Sequence, residues 1–518
     1  QTATRTYTSG NTHNGIQVSN TSGNGFVITG NTIGYASAAG TGTYTMAGTI
    51  ATRFIGINVS AGTTVASSVQ GNTISGFSLA TSSGATAGNG IFAGINVTGG
   101  NVNVGNVTPN IIGAGTGTGA IAATTSTAGG LVVGINSSST GSVNISSNTI
   151  GSINVSGTTA TLPGSVTGIQ VSGGTPTINN NTIGSTTTPK SINAVTVSTS
   201  CAQLVNGINV TSGVTLATSI QSNTIANLTQ SGTTTAGVIR GIAYAGTGVA
   251  TISQNTISFI SGSNANTSLA GTGIQGILHN GTATGGGTIS NNTIHTIVGL
   301  NTGTVQSNVN GIGISGLSAA VVTRNIIYNL QNASTGVTAT TPPTVSGIIV
   351  RSIGAGSNIN NNMISLGNAQ TTNTEFVGIW NNATSANAIN VYHNSINIEG
   401  NPASGALPSY AFLRGDNSAT AITSTIDVRN NIFNNTRSGG TGKHYAIANQ
   451  STVPSATGWG LNASNFNVLN ANAATVGLWG STDAAFNAWR IAASSDANSF
   501  SAIPVVFVNT ATGDLHLN

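Results

Sequence analysis

Charge is what this sequence lacks most. Its 518 residues include 11 Lys and Arg and 7 Asp and Glu, and no carboxylate side chain occurs before Glu375. The basic residues are spread thinly, so the clustered basic face that phosphate neutralisation requires is missing despite a net charge of +4. We therefore expect no nucleic-acid partner. Solubility has to come from hydroxyl and amide side chains.

Cysteine and long apolar runs are equally scarce. Cys201 is the lone cysteine, which excludes an intrachain disulfide framework and predicts a small buried residue. No apolar run approaches the roughly 18 residues that a membrane-spanning helix needs, so we expect no membrane insertion. Gln1 opens directly into polar sequence without a signal peptide, and we expect a mature form or an excerpt of a longer protein.

What the sequence does contain is one repeated pattern, an Asn followed two residues later by Ile or a close substitute. Twelve copies follow each other at intervals of 32 to 42 residues, which is typical of a solenoid. We call these residues the marker asparagines. They are Asn31, Asn72, Asn110, Asn148, Asn181, Asn223, Asn255, Asn292, Asn325, Asn362, Asn394 and Asn431.

A second marker, Gly-Ile-x-Val or a relative of it, precedes each of the first eleven marker asparagines by 13 to 16 residues, as at Gly56-Ile57. Its Ile and Val share one face of a strand, and the residue between them points to the other face. An apolar residue five positions after many of the asparagines, such as Phe77, indicates a third strand. The stretch from each Asn to the next Gly-Ile varies from 16 to 26 residues, which places insertions at one corner.

These patterns predict an all-β parallel solenoid of about 12–14 coils with three parallel sheets. We assign residues 1–440 to it and residues 441–518 to a C-terminal part that caps, continues or connects it. The marker asparagines are expected at turns, where Asn tolerates left-handed backbone angles and its amide can bond to the next coil as a structural ladder.

The markers resemble the right-handed, single-stranded parallel β-helix superfamily typified by pectate lyases, in the repeat-rich form common in secreted and cell-surface proteins of Bacteroidetes. The tail is similar to the closing stretch of such domains, at Asp496-Ala497-Asn498-Ser499, at 504–509 and at 513–517. The resemblance implies export and an extracellular or cell-surface location.

The sequence has few residues that could catalyse a reaction on this scaffold. Relatives of this fold use clustered carboxylates, but Glu375, Glu399, Asp416 and Asp427 fall at different phases of the repeat. Arg414 with Asp416 is interpreted as a surface ion pair. We therefore predict no catalytic residue and no cofactor.

The histidines do not indicate a metal or catalytic site either. The six histidines show no metal-ligand spacing, so no metal site is expected. His295 and Tyr328 each follow a marker directly and are interpreted as a stacked pair that fills surface space.

The outward column of the Gly-Ile-x-Val strands is the candidate binding or association surface. It begins as an amide stripe, which either stacks between coils or hydrogen-bonds a glycan or a second copy of the chain. Farther along it becomes apolar, and a row of exposed apolar groups normally has something covering it. The candidate residues are Gln17, Asn58, Asn96, Asn136, Gln170, Asn209, Leu278, Ile349 and Trp380.

The sequence thus favours a non-enzymatic structural or adhesive segment of a large extracellular protein, such as a stalk, fibre or filament subunit. Partners are then a second copy of the chain, a glycan or a cell-surface ligand. The alternatives are a carbohydrate-binding module and, less favoured, a polysaccharide lyase or glycoside hydrolase on the same fold.

Overall fold

The structure, a computed structural model, describes residues 2–126, 129–158, 163–266, 273–282, 286–303, 307–316, 319–335, 342–354, 356–368, 370–384, 387–416, 422–451 and 458–518. The chain is the predicted right-handed parallel β-solenoid, with about 11 turns, three parallel sheets and almost no helix. The twelve marker asparagines bound these turns. Two compact units divide the chain, residues 1–251 with 255–264 and residues 252–254 with 265–518.

In the first unit each coil passes through three sheets, which we name the marker, middle and ladder sheets. The marker sheet holds β2 (Thr12–Ser19), β6 (Arg53–Ser60), β10 (Phe92–Gly99), β14 (Gly130–Ser137), β18 (Gly164–Val171), β22 (Leu204–Val210) and β26 (Val238–Tyr244). The middle sheet holds β3 (Val27–Thr29), β7 (Ser67–Gln70), β11 (Val102–Val104), β15 (Ser142–Ser146), β19 (Thr175–Asn179) and β23 (Thr218–Gln221). The ladder sheet holds β1 (Thr2–Thr6), β4 (Thr32–Gly34), β5 (Thr43–Ala47), β8 (Thr73–Ser75), β9 (Phe77–Thr81), β12 (Ile111–Gly113), β13 (Ile121–Thr125), β16 (Thr149–Gly151), β17 (Ile153–Gly157), β20 (Thr182–Gly184), β21 (Ile192–Thr196), β24 (Thr224–Ala226), β25 (Leu228–Ser231) and β28 (Thr256–Gly262). Strand β27 (Ala250–Ser253) spans the division between the units.

The second unit repeats this plan. Its marker sheet holds β29 (Ile274–His279), β32 (Asn308–Ile314), β35 (Thr344–Val350), β38 (Glu375–Asn381), β41 (Ser409–Arg414), β44 (His444–Asn449), β47 (Thr475–Trp479) and an antiparallel β48 (Thr482–Ala485). Its middle sheet holds β30 (Gly287–Ser290), β33 (Ala320–Thr323), β36 (Ser357–Asn360), β39 (Ala388–Tyr392), β42 (Thr425–Arg429) and β45 (Ser464–Asn465). Its ladder sheet holds β31 (Thr293–Gly299), β34 (Ile326–Asn332), β37 (Met363–Leu366), β40 (Ser395–Ile398), β43 (Ile432–Asn435) and β46 (Val468–Ala471).

The core consists of aliphatic stacks that follow from the marker pattern. Ile57 and Val59 of β6 are fully buried and lie in register with Ile95 and Val97 of β10. Burying such a side chain is worth about 1.5–3 kcal/mol before chain entropy is subtracted. The predicted anchors five residues after the asparagines are buried too, at Phe77, Ile153, Leu228, Ile260, Ile297 and Leu330.

Steric crowding explains why the marker contains glycine, as at Gly56. A Cβ added to Gly56 would lie 2.5 Å from the carbonyl oxygen of Gly94 in the next coil and 3.1 Å from the side chain of Ile74. Neither neighbour has room to retreat, because one is backbone and the other is a fully buried side chain. A side chain at Gly56 would therefore force the neighbouring coils to shift.

The marker asparagines form the predicted ladder inside the solenoid. Asn148 is representative, since its Nδ2 donates to Oδ1 of Asn181 in the next coil at 3.0 Å and to the carbonyl oxygen of Val104 in the preceding coil at 2.9 Å. Its backbone N–H donates to the same Asn181 oxygen. Each buried amide thus links three coils.

One expectation about the ladder is wrong. In eleven of the twelve copies the left-handed backbone belongs not to the marker asparagine but to the residue before it, as at Ser147, Asn180 and Arg324 with φ of 62°, 57° and 55°. The exception is Asn110, which follows Pro109. The preceding residue makes the turn, and the asparagine is already aligned with the interior. Its side chain can then reach carbonyl groups that face the core.

Coil formation continues beyond residue 440 through β44 to β47, and Asn467 is a further ladder position, fully buried like all the markers except Asn31. After β48 come helix α1 (Phe486–Ala493) and an antiparallel hairpin of β49 (Phe507–Asn509) and β50 (Asp514–Leu517), joined by a 3₁₀ turn η1 (Thr510–Thr512). Among the described residues, no helix is long and apolar enough to cross a membrane.

Candidate functional site

The amide stripe on the outer side of the marker sheet is a second ladder. Nδ2 of Asn96 donates to Oδ1 of Asn58 at 2.9 Å, and Nδ2 of Asn136 donates to Oδ1 of Asn96 at 2.8 Å. Gln170 and Asn209 extend the series at 3.2 and 3.4 Å. Coil-to-coil bonding therefore accounts for the amides at these positions.

Much of this stripe is covered by the chain itself. Asn96 and Asn136 are only 1% and 3% exposed, and Nε2 of Gln170 also donates to the carbonyl oxygen of Gly88, two coils away in sequence. Gln17 is exposed, while Asn58 and Asn209 are half-buried. A partner would meet only these last three residues directly.

The apolar continuation of the column is also buried. Leu278, Ile349 and Trp380 are 6%, 1% and 4% exposed, and the Trp380 indole N–H donates to the carbonyl oxygen of Gly415 at 2.7 Å. Ile349 and Trp380 belong to one cluster on the outer side of the marker sheet. Its other members are Val377, Tyr410, Leu413, Tyr445, Ala448 and Leu478.

The carboxylates singled out in the sequence lie apart from one another. Glu375 opens a marker strand and Asp427 lies in the middle sheet, where it accepts hydrogen bonds from Tyr392 Oη and Arg429 Nε, both at 2.6 Å. Glu399 follows the ladder strand β40 and accepts a bond from Thr510 Oγ1 of the C-terminal hairpin at 3.0 Å. Asp416, after β41, accepts from Nδ2 of Asn382 at 2.5 Å.

Arg414 is not the surface residue that was expected. Its side chain is fully buried, and its guanidinium donates to the carbonyl oxygens of Ile422 and Ser424 at 2.9 and 3.1 Å. Burial lowers its pKa to about 10. Arg414 therefore fixes a loop to the end of its strand.

His295 and Tyr328 are stacked as predicted, with ring centroids 4.8 Å apart and planes 9° from parallel. A Cβ added to Gly513 would contact Tyr328, so the C-terminal hairpin lies against this pair. Among the described residues, no group of three or more His, Cys, Asp or Glu side chains is arranged to hold a metal ion.

Sequence reasoning missed a place where opposite charges meet aromatic rings beside open space. We call it the Lys443 groove, formed by Tyr410, Lys443, Tyr445, Gln450 and Asp483. Two cavities of about 350 and 270 Å³ are both lined by Lys443, Tyr445 and Asp483. Nζ of Lys443 pairs with the carboxylate of Asp483, and Tyr445 Oη donates to that carboxylate at 2.7 Å.

The two tyrosines of the groove stack on successive coils, with centroids 5.5 Å apart. Gln450 Nε2 donates to Tyr410 Oη at 3.0 Å. Burial raises the pKa of both tyrosines above the ordinary range, while hydrogen bonds from Lys443 and Tyr445 lower that of Asp483. Both hydroxyls are thus neutral donors at physiological pH.

A weak signal for this groove exists in the sequence. Tyr410 and Tyr445 stand in register one position before the residues equivalent to the marker glycine, which are here Ala411 and Ala446. Allowing Ala for Gly in the marker would have extended the repeat and placed both tyrosines in one outward column.

Comparisons with known proteins add little to this picture. No protein-family model matches the chain, and no curated protein matches its sequence. Among solved structures, a mutant form of the PL6 family alginate lyase AlyGC aligns over 98% of this chain and 96% of its own, with 10% identity and a TM-score of 0.12. A similarity of this size carries no argument about function.

Proposed function

We propose that this chain is a non-enzymatic structural and adhesive segment of a large extracellular or cell-surface protein. The observation that carries the proposal is the buried asparagine ladder, which repeats the same three-coil linkage from one marker to the next. A scaffold whose polar groups are bonded within the chain suits a spacer, because such groups are not available for chemistry. A full-length gene product with a secretion signal and further repeats would support the location.

The absence of activity is tested with the purified chain against neutral and acidic polysaccharides, including alginate and pectate. We expect no loss of viscosity and no new reducing or unsaturated ends. Depolymerisation that Lys443→Met and Tyr445→Phe abolish would overturn the proposal. Arg429→Met is the matched control, since Arg429 also pairs with a partly exposed carboxylate, that of Asp427, but outside the groove.

Carbohydrate binding is the second candidate, and the Lys443 groove favours it. The groove combines a cation, a carboxylate, a carboxamide and aromatic edges around cavities of about 350 and 270 Å³, which is the mixture that recognises sugar hydroxyls. Glycan-array binding that Lys443→Met weakens and Arg429→Met leaves intact would support it. An array without hits would remove this candidate and leave the structural role untouched.

A further inference from the structure

The asparagine ladder has a direction. In the pairs within each unit, the backbone N–H and Nδ2 of one asparagine donate to Oδ1 of the next, as from Asn31 to Asn72 at 3.0 and 2.9 Å. The accepting Oδ1 of such a pair therefore receives two donors from the preceding coil. Asn31 has no preceding coil among the described residues, and its Oδ1 receives no donor there.

The interior of the first coil is open on the same side. Ile16, Val18 and Ile33 are only half-buried, although the residues in register with them in the next coil are 0% exposed. Within the described part of the chain, strand β2 pairs with β6 and with no other strand. We call Ile16, Val18, Asn31 and Ile33 the N-terminal face.

Aromatic side chains cover a part of the first coil next to this face. The Tyr7 ring lies 4.5 Å from the His13 ring, and Tyr7 Oη bonds to Tyr44 Oη at 3.3 Å. His13 occupies an inward position, since it lies in register with Phe54. These rings shield the start of β2 and leave its Ile16 and Val18 end exposed.

The last ladder position, Asn467, differs from the first, Asn31. The Asn467 backbone N–H donates to Ser499 Oγ at 2.9 Å, and Nδ2 donates to the carboxylate of Asp496 at 3.2 Å. Asp496 is fully buried and also accepts from the Trp489 indole and from Ser464 Oγ. The ladder therefore ends on groups of the chain itself at this coil, whereas it begins on an unpaired acceptor.

From this difference we infer that the N-terminal face is an interaction surface for one further parallel coil of the same repeat, carrying a marker asparagine in register with Asn31. Such a coil brings the two donors that Oδ1 of Asn31 lacks and the apolar side chains that cover Ile16, Val18 and Ile33. It continues the interface that neighbouring coils within a unit already make, as the first coil makes with the second. The inference does not depend on the proposed function.

A second copy of the chain does not meet these requirements. Two N-terminal faces brought together would set Oδ1 of Asn31 against the same acceptor and would pair strands antiparallel. The opposite end of a copy has its ladder donors occupied by Ser499 and Asp496. The face therefore selects a coil that donates from a marker asparagine and runs parallel to β2.

The test extends the full chain by one coil. Thr2 of β1 lies opposite Thr43 of β5, so a copy of residues 12–41 placed before residue 1 enters β1 in phase. We expect the β2 amides that do not face β6 to exchange with solvent at least about tenfold more slowly than in the unextended chain. The matched control carries Asn31→Leu in the added copy only, and it should lose most of this protection because the ladder donors are gone.

Three outcomes would overturn the inference. Unchanged exchange at β2 in an extended chain with native circular dichroism would show that the face does not take a coil. Equal protection by the added coil with and without its asparagine would show that the ladder does not select the partner. A dimer of the unextended chain in sedimentation velocity, dissociated by the extension, would identify a second copy as the occupant.

Discussion

Replacing one ladder asparagine gives the sharpest test of what holds the coils together. Asn148→Leu removes two hydrogen bonds accepted from Asn110 at 3.3 and 2.9 Å and those of Nδ2, whose two hydrogens are shared among Val104, Ser146 and Asn181 at 2.9 to 3.0 Å. All of these bonds lie in the buried interior, so water cannot replace them.

The magnitude follows from the groups that are left without partners. Asn110 keeps one bond from its Nδ2, to Val69, but its backbone N–H loses its acceptor. A buried donor without a partner costs about 1–3 kcal/mol, and each further net bond contributes about 0.5–1.5 kcal/mol. Burying the leucine offsets part of this loss, so we expect the free energy of unfolding to fall by about 3–4 kcal/mol.

The matched control is Asn154→Leu in the same coil. Asn154 also pairs with its counterpart in the next coil, accepting from Nδ2 of Asn193 at 3.0 Å, but it is half-buried on the outer side of the ladder sheet. Water can replace that bond, and we expect a change within about 0.5 kcal/mol. Guanidinium unfolding followed by circular dichroism measures both variants. Equal costs would refute the reasoning that the ladder stabilises through buried, mutually dependent bonds.

Three further perturbations test the buried groups of the second unit. Burial raises the pKa of Glu375 to about 7, so the contribution of this carboxyl to stability is complete below pH 4.5 and is lost as the pH rises through 7. Glu375→Gln should therefore remove a fall in Tm between pH 5 and 8. A fall that persists in the variant would exclude this carboxyl as its cause. Burial lowers the pKa of His279 to about 4, so the contribution of its imidazole to stability is complete above pH 6.5 and is lost as the pH falls through 4. His279→Gln should therefore reduce the fall in Tm at acid pH. An unchanged fall would show that His279 is not its cause. Trp380→Ala should lower the free energy of unfolding in guanidinium by about 3–5 kcal/mol. The control is Leu461→Ala, whose side chain is 80% exposed and for which we expect a change within about 0.5 kcal/mol. A loss below about 1 kcal/mol for Trp380→Ala would show that the apolar column is not a packed core.

The repeating part of the fold could be predicted because one physical requirement recurs in every coil. Ile57 must lie on its counterpart Ile95, and Asn148 must reach Asn181, so the same residue types return at the same phase. Period and strand alternation are then sufficient to predict parallel coils and three sheets. The placement of the left-handed residue could not be predicted, because the residue before the asparagine varies among Gly, Ser, Asn, Gln, Arg and His and is Pro109 in one copy.

The outer columns could not be predicted for a different reason. Whether Asn96 and Trp380 face solvent depends on the corner segments, whose lengths and sequences do not repeat, and on long-range contacts such as that of Gln170 with Gly88. The Lys443 groove was missed for a related reason, since it occurs where the marker glycine has become Ala446. Non-repeating features carry no period from which to infer them.

Stacking also explains why charge is so scarce. Parallel coils place equivalent residues about 4.8 Å apart. A charged residue that recurred at the same position of every coil would therefore lie next to its own copies in the coils on both sides. Two like charges at that distance repel by about 3.5 kcal/mol at an effective dielectric constant of 20, whereas a carboxamide donates to one copy of itself and accepts from the other. Duplication of a coil therefore favours Asn over Asp at every column. Acids become tolerable only where the copies have diverged, as where Asp427 lies in register with Asn390, and any chemistry that needs a carboxylate is confined to those coils.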